Sequence, residues 1–442
     1  MTRTAPALAK PKPVRLPAVA DTVLDNGLRV LAVRRPGVPL AEVRLRIPFA
    51  APAKGTATHV ARAHLLADTF LSGTDQRDAN QIAVDLQAVG ATFGVNVDAD
   101  RLAFGGSVLL DGLGGLLELL GELLTSATFP KREVEGERDR LVQELAIHRS
   151  SAGVVAREAL FARLYGSHPY AQDLPASDDV QEIKPKQLRA LHAARVVPAG
   201  SILTIVGDLT PARATAVIQK ALADWTAVGT DVPVPEAPPQ SGRPALLVDR
   251  PGAVQTTMRF GGAAPKRTDE DFAATSLANL VFGGYFSSRW VSNIREDKGY
   301  TYSPSSGIDH PIGGSRFVAG ADVATDVTAP ALLETLYELG RIATVPVKQE
   351  ELDRARRYAI GTLALGTATQ AGLAGTLSQL AASGLSIDWL REYPRQLNAV
   401  TVEDVLAAGA RWLAPTVLTP VLVGDSATVA ASLRGLVELE TQ

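Results

Sequence analysis

The stretch "PAGSILTIVGD", residues 198–208, returns later in the chain as "PTVLTPVLVGD", residues 415–425. Pro198 and Pro415 are 217 residues apart, as are Gly207 and Gly424, and Asp208 and Asp425. Upstream, "PKREVEGERDR" opening at Pro130 matches "PVKQEELDRAR" opening at Pro346, an offset of 216. Matches in the same order at almost one offset mark an internal repeat. Each copy mixes runs of alternating hydrophobicity with runs of helical period, so the expected fold is α+β in two homologous halves. Each half should be an antiparallel-rich sheet with helices packed on one face.

Outward from the first copy, "TVLDNGLRVLAVRRPG" places two β-rich runs around Asp25-Asn26-Gly27, a hairpin signal because Asn-Gly accepts positive φ. "LAEVRLRIPF" predicts a further strand, and helical period takes over at 56–72 and 77–89. Alternation returns at 90–110, helices are expected near 111–125, 131–150, 153–165 and 186–194, and "SILTIVGD" closes the half as a strand. Residues 228–244, "VGTDVPVPEAPPQSGRP", are rich in Pro and Gly without periodicity and read as a linker. The division is therefore an N-terminal arm at 1–20, a first domain at 21–227, the linker, and a second domain at 245–442.

Composition narrows the function. The chain has 442 residues, 46% of them hydrophobic and 21% charged, with a net charge of −3 of mixed sign. That leaves no basic stripe for nucleic acid. It has no cysteine, so Cys-ligated zinc, disulfides and thiol catalysis are excluded. No apolar run approaches the roughly 20 residues that span a bilayer. The first twenty residues carry bases and no acid but lack a secretory h-region, and Pro6, Pro11, Pro13 and Pro17 would break a transit-type helix. They read as a disordered arm on a cytoplasmic protein.

Chemistry concentrates at "AHLLADTFLSGT", residues 63–74. A helical zinc site needs ligands on one face, and residues four apart satisfy this. In the motif H-x-x-E-H the histidines stand at i and i+4 with a general base at i+3. Here His64 takes the first ligand position, Ala67 stands at the base and Asp68 at the second histidine. Zinc accepts carboxylate oxygens, so weak metal binding is one reading. The bland reading makes His64 a half-buried residue hydrogen-bonded to Asp68 or Glu144, and it is favoured because a methyl group cannot act as a base.

The stretch resembles the "AHxxEHxxxxGT" segment of the insulinase/pitrilysin type of zinc peptidases, the group of the mitochondrial processing peptidase and its bacterial relatives. "LDNGLRV" at the start, "LYGSHPYA" at 164–171, both "VGD" strands and "GGYFSSRWVSNIREDKGYTYS" at 283–303 carry the resemblance over nearly the whole chain. The family takes its third zinc ligand, a Glu, from a later helix, and here 75 residues lie between Asp68 and Glu144, the family's interval. The resemblance makes His64, Asp68 and Glu144 vestigial positions of a lost zinc site.

The second half keeps what the first has lost. An Arg and a Tyr seven residues apart in the family's second half reach the active chamber and hydrogen-bond the substrate carbonyl and the oxyanion; here they are Arg295 and Tyr302. Tetrahedral intermediates concentrate charge that such donors stabilise. Read without the resemblance, Arg295 in the last turn of a helix ending at Gly299 pairs with Glu296 or Asp297, and Tyr302 packs in a sheet. Tyr300 is a rival that alternation would send to the same face as Tyr302. The processing peptidase's long glycine-rich loop is reduced to Gly283-Gly284, and 90–104 is where the family adds its substrate as an extra strand.

The resemblance thus implies the zinc-lacking subunit of a heteromeric zinc metalloendopeptidase, inactive alone and forming half of a clam-shaped chamber. Zinc would sit in a homologous partner with an intact H-x-x-E-H, a peptide would be the substrate, and no nucleic acid or membrane would be engaged. A structural or peptide-binding subunit without catalytic role is the alternative, and an autonomous hydrolase using His64, Asp68 and Glu144 is the third.

Overall fold

The computed structural model describes residues 16–229 and 232–442. Its frame is two six-stranded sheets. The first contains β1 (Val19–Val23), β2 (Arg29–Arg34), β3 (Leu40–Pro48), β4 (Thr92–Val97), β5 (Arg101–Leu109) and β6 (Ile202–Gly207), in the spatial order β1-β2-β6-β3-β5-β4. The second contains β7 (Ala245–Asp249), β8 (Gln255–Ala263), β9 (Ser305–Asp309), β10 (Arg316–Ala324), β11 (Thr419–Gly424) and β12 (Leu439–Thr441), in the order β12-β7-β11-β8-β10-β9. Without β1 and β12 the two orders are the same. The repeated strands β6 and β11 hold equivalent places, each parallel to one neighbour and antiparallel to the other. The expected α+β fold of two homologous halves is what forms.

The first edge is filled differently in each sheet. β1 is the antiparallel hairpin partner of β2, whereas β12 comes from the chain's far end and runs parallel to β7. The hairpin turns where Asn26-Gly27 allow it. Gly27 has φ 87°, and the Asn26 side chain accepts from Leu28 N at 3.1 Å while donating to Trp225 O at 3.0 Å. Of the arm expected at 1–20, residues 1–15 lie outside the described residues, while Val19 and Ala20 already belong to β1. The described residues of the expected linker carry no helix or strand.

Alternation along β3 sorts its side chains. Ala41, Val43, Leu45 and Ile47 are buried under the helices of their own half, each larger side chain contributing about 1.5–3 kcal/mol. Glu42, Arg44 and Arg46 take the opposite face, where Arg44 pairs with Glu42 at 2.8 Å.

That opposite face is not left to water. The helices Ala152–Tyr165 and Gln370–Ala382 occupy equivalent places in the two halves, and they are exchanged. Ala152–Tyr165 packs Ala156, Leu160 and Leu164 onto Leu246, Val421 and Val423 of the second sheet. Gly261 makes the approach feasible, since a Cβ there would sit 2.9 Å from Leu164 and 3.0 Å from Leu160. In return Gln370–Ala382 packs Leu373, Ala374 and Leu377 onto Val33 and Val206 of the first sheet. Each half therefore covers one face with its own helices and lends one helix to the other half. No helix among the described residues is long and apolar enough to cross a membrane.

Candidate functional site

The helix Thr56–Asp68 shows why its sequence keeps the motif's apolar residues. Leu65, Leu66 and Phe70 are fully buried, and Phe70 meets Phe104 edge-on at 4.8 Å. Thr69 closes the helix by donating to Leu65 O at 2.6 Å. Ala67 lies in that core, only 6% exposed. The position of the motif's base is thus a methyl group packed among hydrocarbons.

His64 is half-buried on the wall of a cavity between the two halves. Burial lowers its pKa, with Asp173 acting the other way, so it is neutral at pH 7. Asp68 looks elsewhere. It is open to solvent at its rim but lies against protein on its other side, and its carboxyl is pushed up to about 6 by burial, with Arg140 opposing and Glu137 and Glu144 adding to the rise. Glu144 is exposed on the helix Lys131–Arg149, 4.0 Å from the Arg140 guanidinium. Arg140 also pairs with Glu137. The cation facing these carboxylates is therefore an arginine of the same helix.

No hydrogen bond joins His64 to Asp68 or Glu144 among the described residues, which corrects the bland expectation for His64. Nor do the described residues contain a group of three or more His, Asp or Glu placed to hold a metal ion. The donor set does not suit zinc, since its histidine is turned to the cavity and Asp68 faces Arg140 and two further carboxylates.

Asp68 has a consequence for stability. A carboxyl whose folded pKa lies above its unfolded value near 3.9 binds more protons when folded, so its contribution falls as pH rises from about 4 to about 6. Asp68→Asn is expected to raise the Tm by about 1–2 °C at pH 7, solvent screening at the open rim keeping the effect small. The difference should vanish below about pH 4, where Asp68 is protonated in both states. Thermal melts of both proteins across pH 4–8 measure it, and a Tm lowered at pH 7 would refute it.

Arg295 and Tyr302 are brought together. The segment before them winds as Arg289–Val291 and then as a π-helical turn, Ser292–Asp297. Its inner side is fixed by Trp290, which stacks on Phe282 at 5.2 Å and donates to Thr335 Oγ1 at 3.0 Å. Arg289 forks onto Glu351 with two 2.8 Å bonds that hold the Glu351 carboxyl down at about 2. Gly299 stops the helix with φ 66°, and the N–H groups of Gly299 and Tyr300 return to Arg295 O and Ile294 O.

Arg295 is on the outer side. Its guanidinium carbon lies 4.6 Å from the Phe286 ring and 4.8 Å from the Tyr302 ring, and its Nε is 3.1 Å from Glu296 Oε1. The Glu296 pair expected on the bland reading is present, but the expected sheet packing of Tyr302 is not. The strand begins only at Ser305, and Tyr302 precedes it in a loop, 81% exposed. Tyr300 and Tyr302 also part company, because without a strand there is no alternation to align them. Tyr300 packs against the second core. Gly283 and Gly284 belong to a π-helical turn, and a Cβ on Gly283 would stand 2.8 Å from Ser306 Oγ and 2.9 Å from Trp290. They are packing glycines.

The cavity beside His64 has a volume of about 490 Å³ and is walled by both halves. Residues that motif reading passed over dominate it. His59 donates from Nε2 to Phe49 O at 2.8 Å, and burial drives its pKa down to about 4. Tyr170 donates to Asp100 Oδ1 at 2.6 Å and accepts from Gly313 N at 2.8 Å, while Ile312 N donates to Asp100 Oδ2 at 2.8 Å. The "LYGSHPYA" stretch supplies Tyr170 and was the available signal. β4 ends at the same cavity and is the open edge of its sheet, with β5 as its only strand partner among the described residues.

Two homologous α+β halves, a zinc-motif helix without its base, and a half-buried Arg295 stacked on an exposed Tyr302 in the second half define a peptidase-type fold of the two-half kind. The model described as "Insulinase (Peptidase family M16)" matches residues 61–177, and that described as "Peptidase M16 inactive domain" matches 182–358. The chain belongs to the M16 insulinase family. It is similar to an uncharacterized zinc protease of Mycobacterium bovis, 26% identical over 422 residues covering 93% of this chain and 94% of the relative. A second zinc protease so named, from Mycobacterium leprae, is 27% identical over 308 residues, 68% of each chain. Among solved structures, a peptidase M16 inactive domain from Pseudomonas fluorescens superposes with a TM-score of 0.85 at 25% identity, covering 92% of this chain and 98% of the other. A protease from Helicobacter pylori shares the fold, with a TM-score of 0.85 at 20% identity over 92% of this chain and all of the other. The second half thus matches the inactive-type M16 domain, and the first half carries the M16 motif helix with Ala67 at the position of the base.

Proposed function

We propose that this chain is the zinc-lacking subunit of a heteromeric, cytoplasmic zinc endopeptidase. It is inactive alone and contributes Arg295 and Tyr302 to the active site of a homologous partner with an intact H-x-x-E-H motif. The observation that carries this reading is the Arg295–Tyr302 stack itself, held by a well-packed turn yet presented to solvent on its outer side. A guanidinium and a phenol so held are donors ready for an oxyanion, and preorganised donors act without reorganisation during reaction. Zinc chemistry would come from the partner, as the names of the relatives suggest for the family, and this chain would wall half of a closed chamber around the peptide.

One observation favours the second reading, a structural or peptide-binding subunit. The open edge of β4 offers unpaired backbone groups to an extended peptide whether or not any cleavage follows. Affinity purification of the tagged chain separates the readings. Expected is co-purification with a chain of similar length bearing H-x-x-E-H, and peptide cleavage only when both are present. Recovery of this chain alone or as a homodimer would remove the shared site.

A further inference from the structure

The charges around the cavity between the halves are matched, with one exception. Arg46 lies 4.0 Å from Asp98, Arg316 is 3.1 Å from Asp309, and Asp173 is 2.8 Å from Arg157. Arg101 is offset by Asp100 and Asp98. The cavity histidines add no charge at pH 7, since burial lowers His64 and drives His59 to about 4 and His310 to about 3. Arg267 is the exception.

Among the described residues Arg267 has no ion pair and no hydrogen bond. Its Nε is enclosed without an acceptor, the Trp389 ring lies 5.5 Å from the guanidinium carbon, and its other neighbours, the Tyr393 phenol and the His310 ring, are uncharged at pH 7 and supply no counter-ion. It stands on the wall common to the 490 Å³ cavity and a second one of about 270 Å³ that extends past Pro311 and Leu385. Enclosing a cation without a counter-ion is costly, and such charges are normally paired.

We infer that Arg267 anchors a carboxylate-binding site between the halves, shaped for the C-terminal end of a short peptide. The planar guanidinium presents paired N–H donors that match a carboxylate. One unmatched positive charge suits a monoanion, and the walls of Pro311, Ile312 and Leu385 suit an apolar side chain next to it. The site belongs to this chain by itself and stands apart from Arg295 and Tyr302, so it does not depend on the shared-site reading.

Calorimetric titration of the full chain tests it with three probes: acetyl-Ala-Leu as the free acid, the same dipeptide as its C-terminal amide, and acetate. The free acid is expected to bind saturably, the amide about tenfold more weakly or worse, and Arg267→Gln to lose the free acid while the exposed Arg213→Gln retains it. Because the replacement removes an unmatched charge, the Tm of Arg267→Gln without ligand should equal or exceed that of the parent. Acetate binding as tightly as the dipeptide acid would support a carboxylate site for small free acids and overturn the peptide end as its source. Failure of all three probes to bind, equal binding by Arg267→Gln, or a Tm several degrees lower in that variant would overturn the site.

Discussion

Arg295→Ala in the reconstituted two-chain peptidase is expected to lower kcat by about 10²–10³-fold, or about 2.7–4 kcal/mol of transition-state stabilisation. The fall should appear in kcat and kcat/KM alike, because a donor aimed at the oxyanion is used chiefly after attack has begun. Folding should be nearly unaffected. The guanidinium touches two exposed rings and one exposed carboxylate, while the turn that carries it is held by Trp290 and Arg289. Tyr302→Phe keeps the stack and removes only the hydroxyl, so it isolates the second donor, and a loss of about tenfold or more is expected from it. Arg295→Lys keeps charge without the planar fork and should recover only part of the activity. Unchanged cleavage in Arg295→Ala would refute the catalytic role. A loss that tracks dissociation of the two chains would move Arg295 from chemistry to assembly.

The fold was legible where local chemistry and long-range geometry agree. Asn26-Gly27 demanded a tight turn, and the recurrence of "VGD" placed β6 and β11 in equivalent central positions. The filling of the first edge was not legible, because the repeat ends before it and unrelated segments, β1 and β12, take it. The helix exchange was hidden for a different reason. Leu160, Leu164, Leu373 and Leu377 announce an apolar helix face, but which sheet that face covers is set by how the halves dock.

At the site, Ala67 and Asp68 could be read as departures from a motif because spacing alone defines the face they share. The partners of Asp68 could not, since they depend on how the helix Lys131–Arg149 lies against it. The loop position of Tyr302 escaped pattern reading as well. A π-helical turn adds a residue to the helix and breaks both periods on which such reading rests. Arg267 left no sequence signal at all, because an unmatched charge is a property of its surroundings.

The second large effect concerns the contact that fixes the halves to each other. Asp100 sits in the β4–β5 turn, shaped by Asp98, whose carboxylate accepts from the N–H groups of Asp100 and Arg101 at 2.8 Å each. From there its own carboxyl, 7% exposed, reaches Tyr170 and the backbone of the second half at Ile312. Gly313 completes the contact, where a side chain would stand 2.3 Å from Pro235 O and 3.0 Å from the Tyr170 hydroxyl. Asp100→Ala strands the Tyr170 hydroxyl and the Ile312 N–H without acceptors. At about 1–3 kcal/mol for each enclosed donor left unpaired, partly relieved by water entering the adjoining cavity, the expected loss is about 2–4 kcal/mol. Tyr170→Phe should cost about 1–2 kcal/mol, since Gly313 N loses its acceptor while one oxygen of Asp100 is freed. The double variant should be less destabilised than the sum, by about 0.5–3 kcal/mol, because both single changes break the same bond. Denaturant unfolding of the four proteins measures the cycle. Additive losses would mean that Asp100 and Tyr170 act independently, and an Asp100→Ala cost below about 0.5 kcal/mol would mean that the exchanged helices alone hold the halves together.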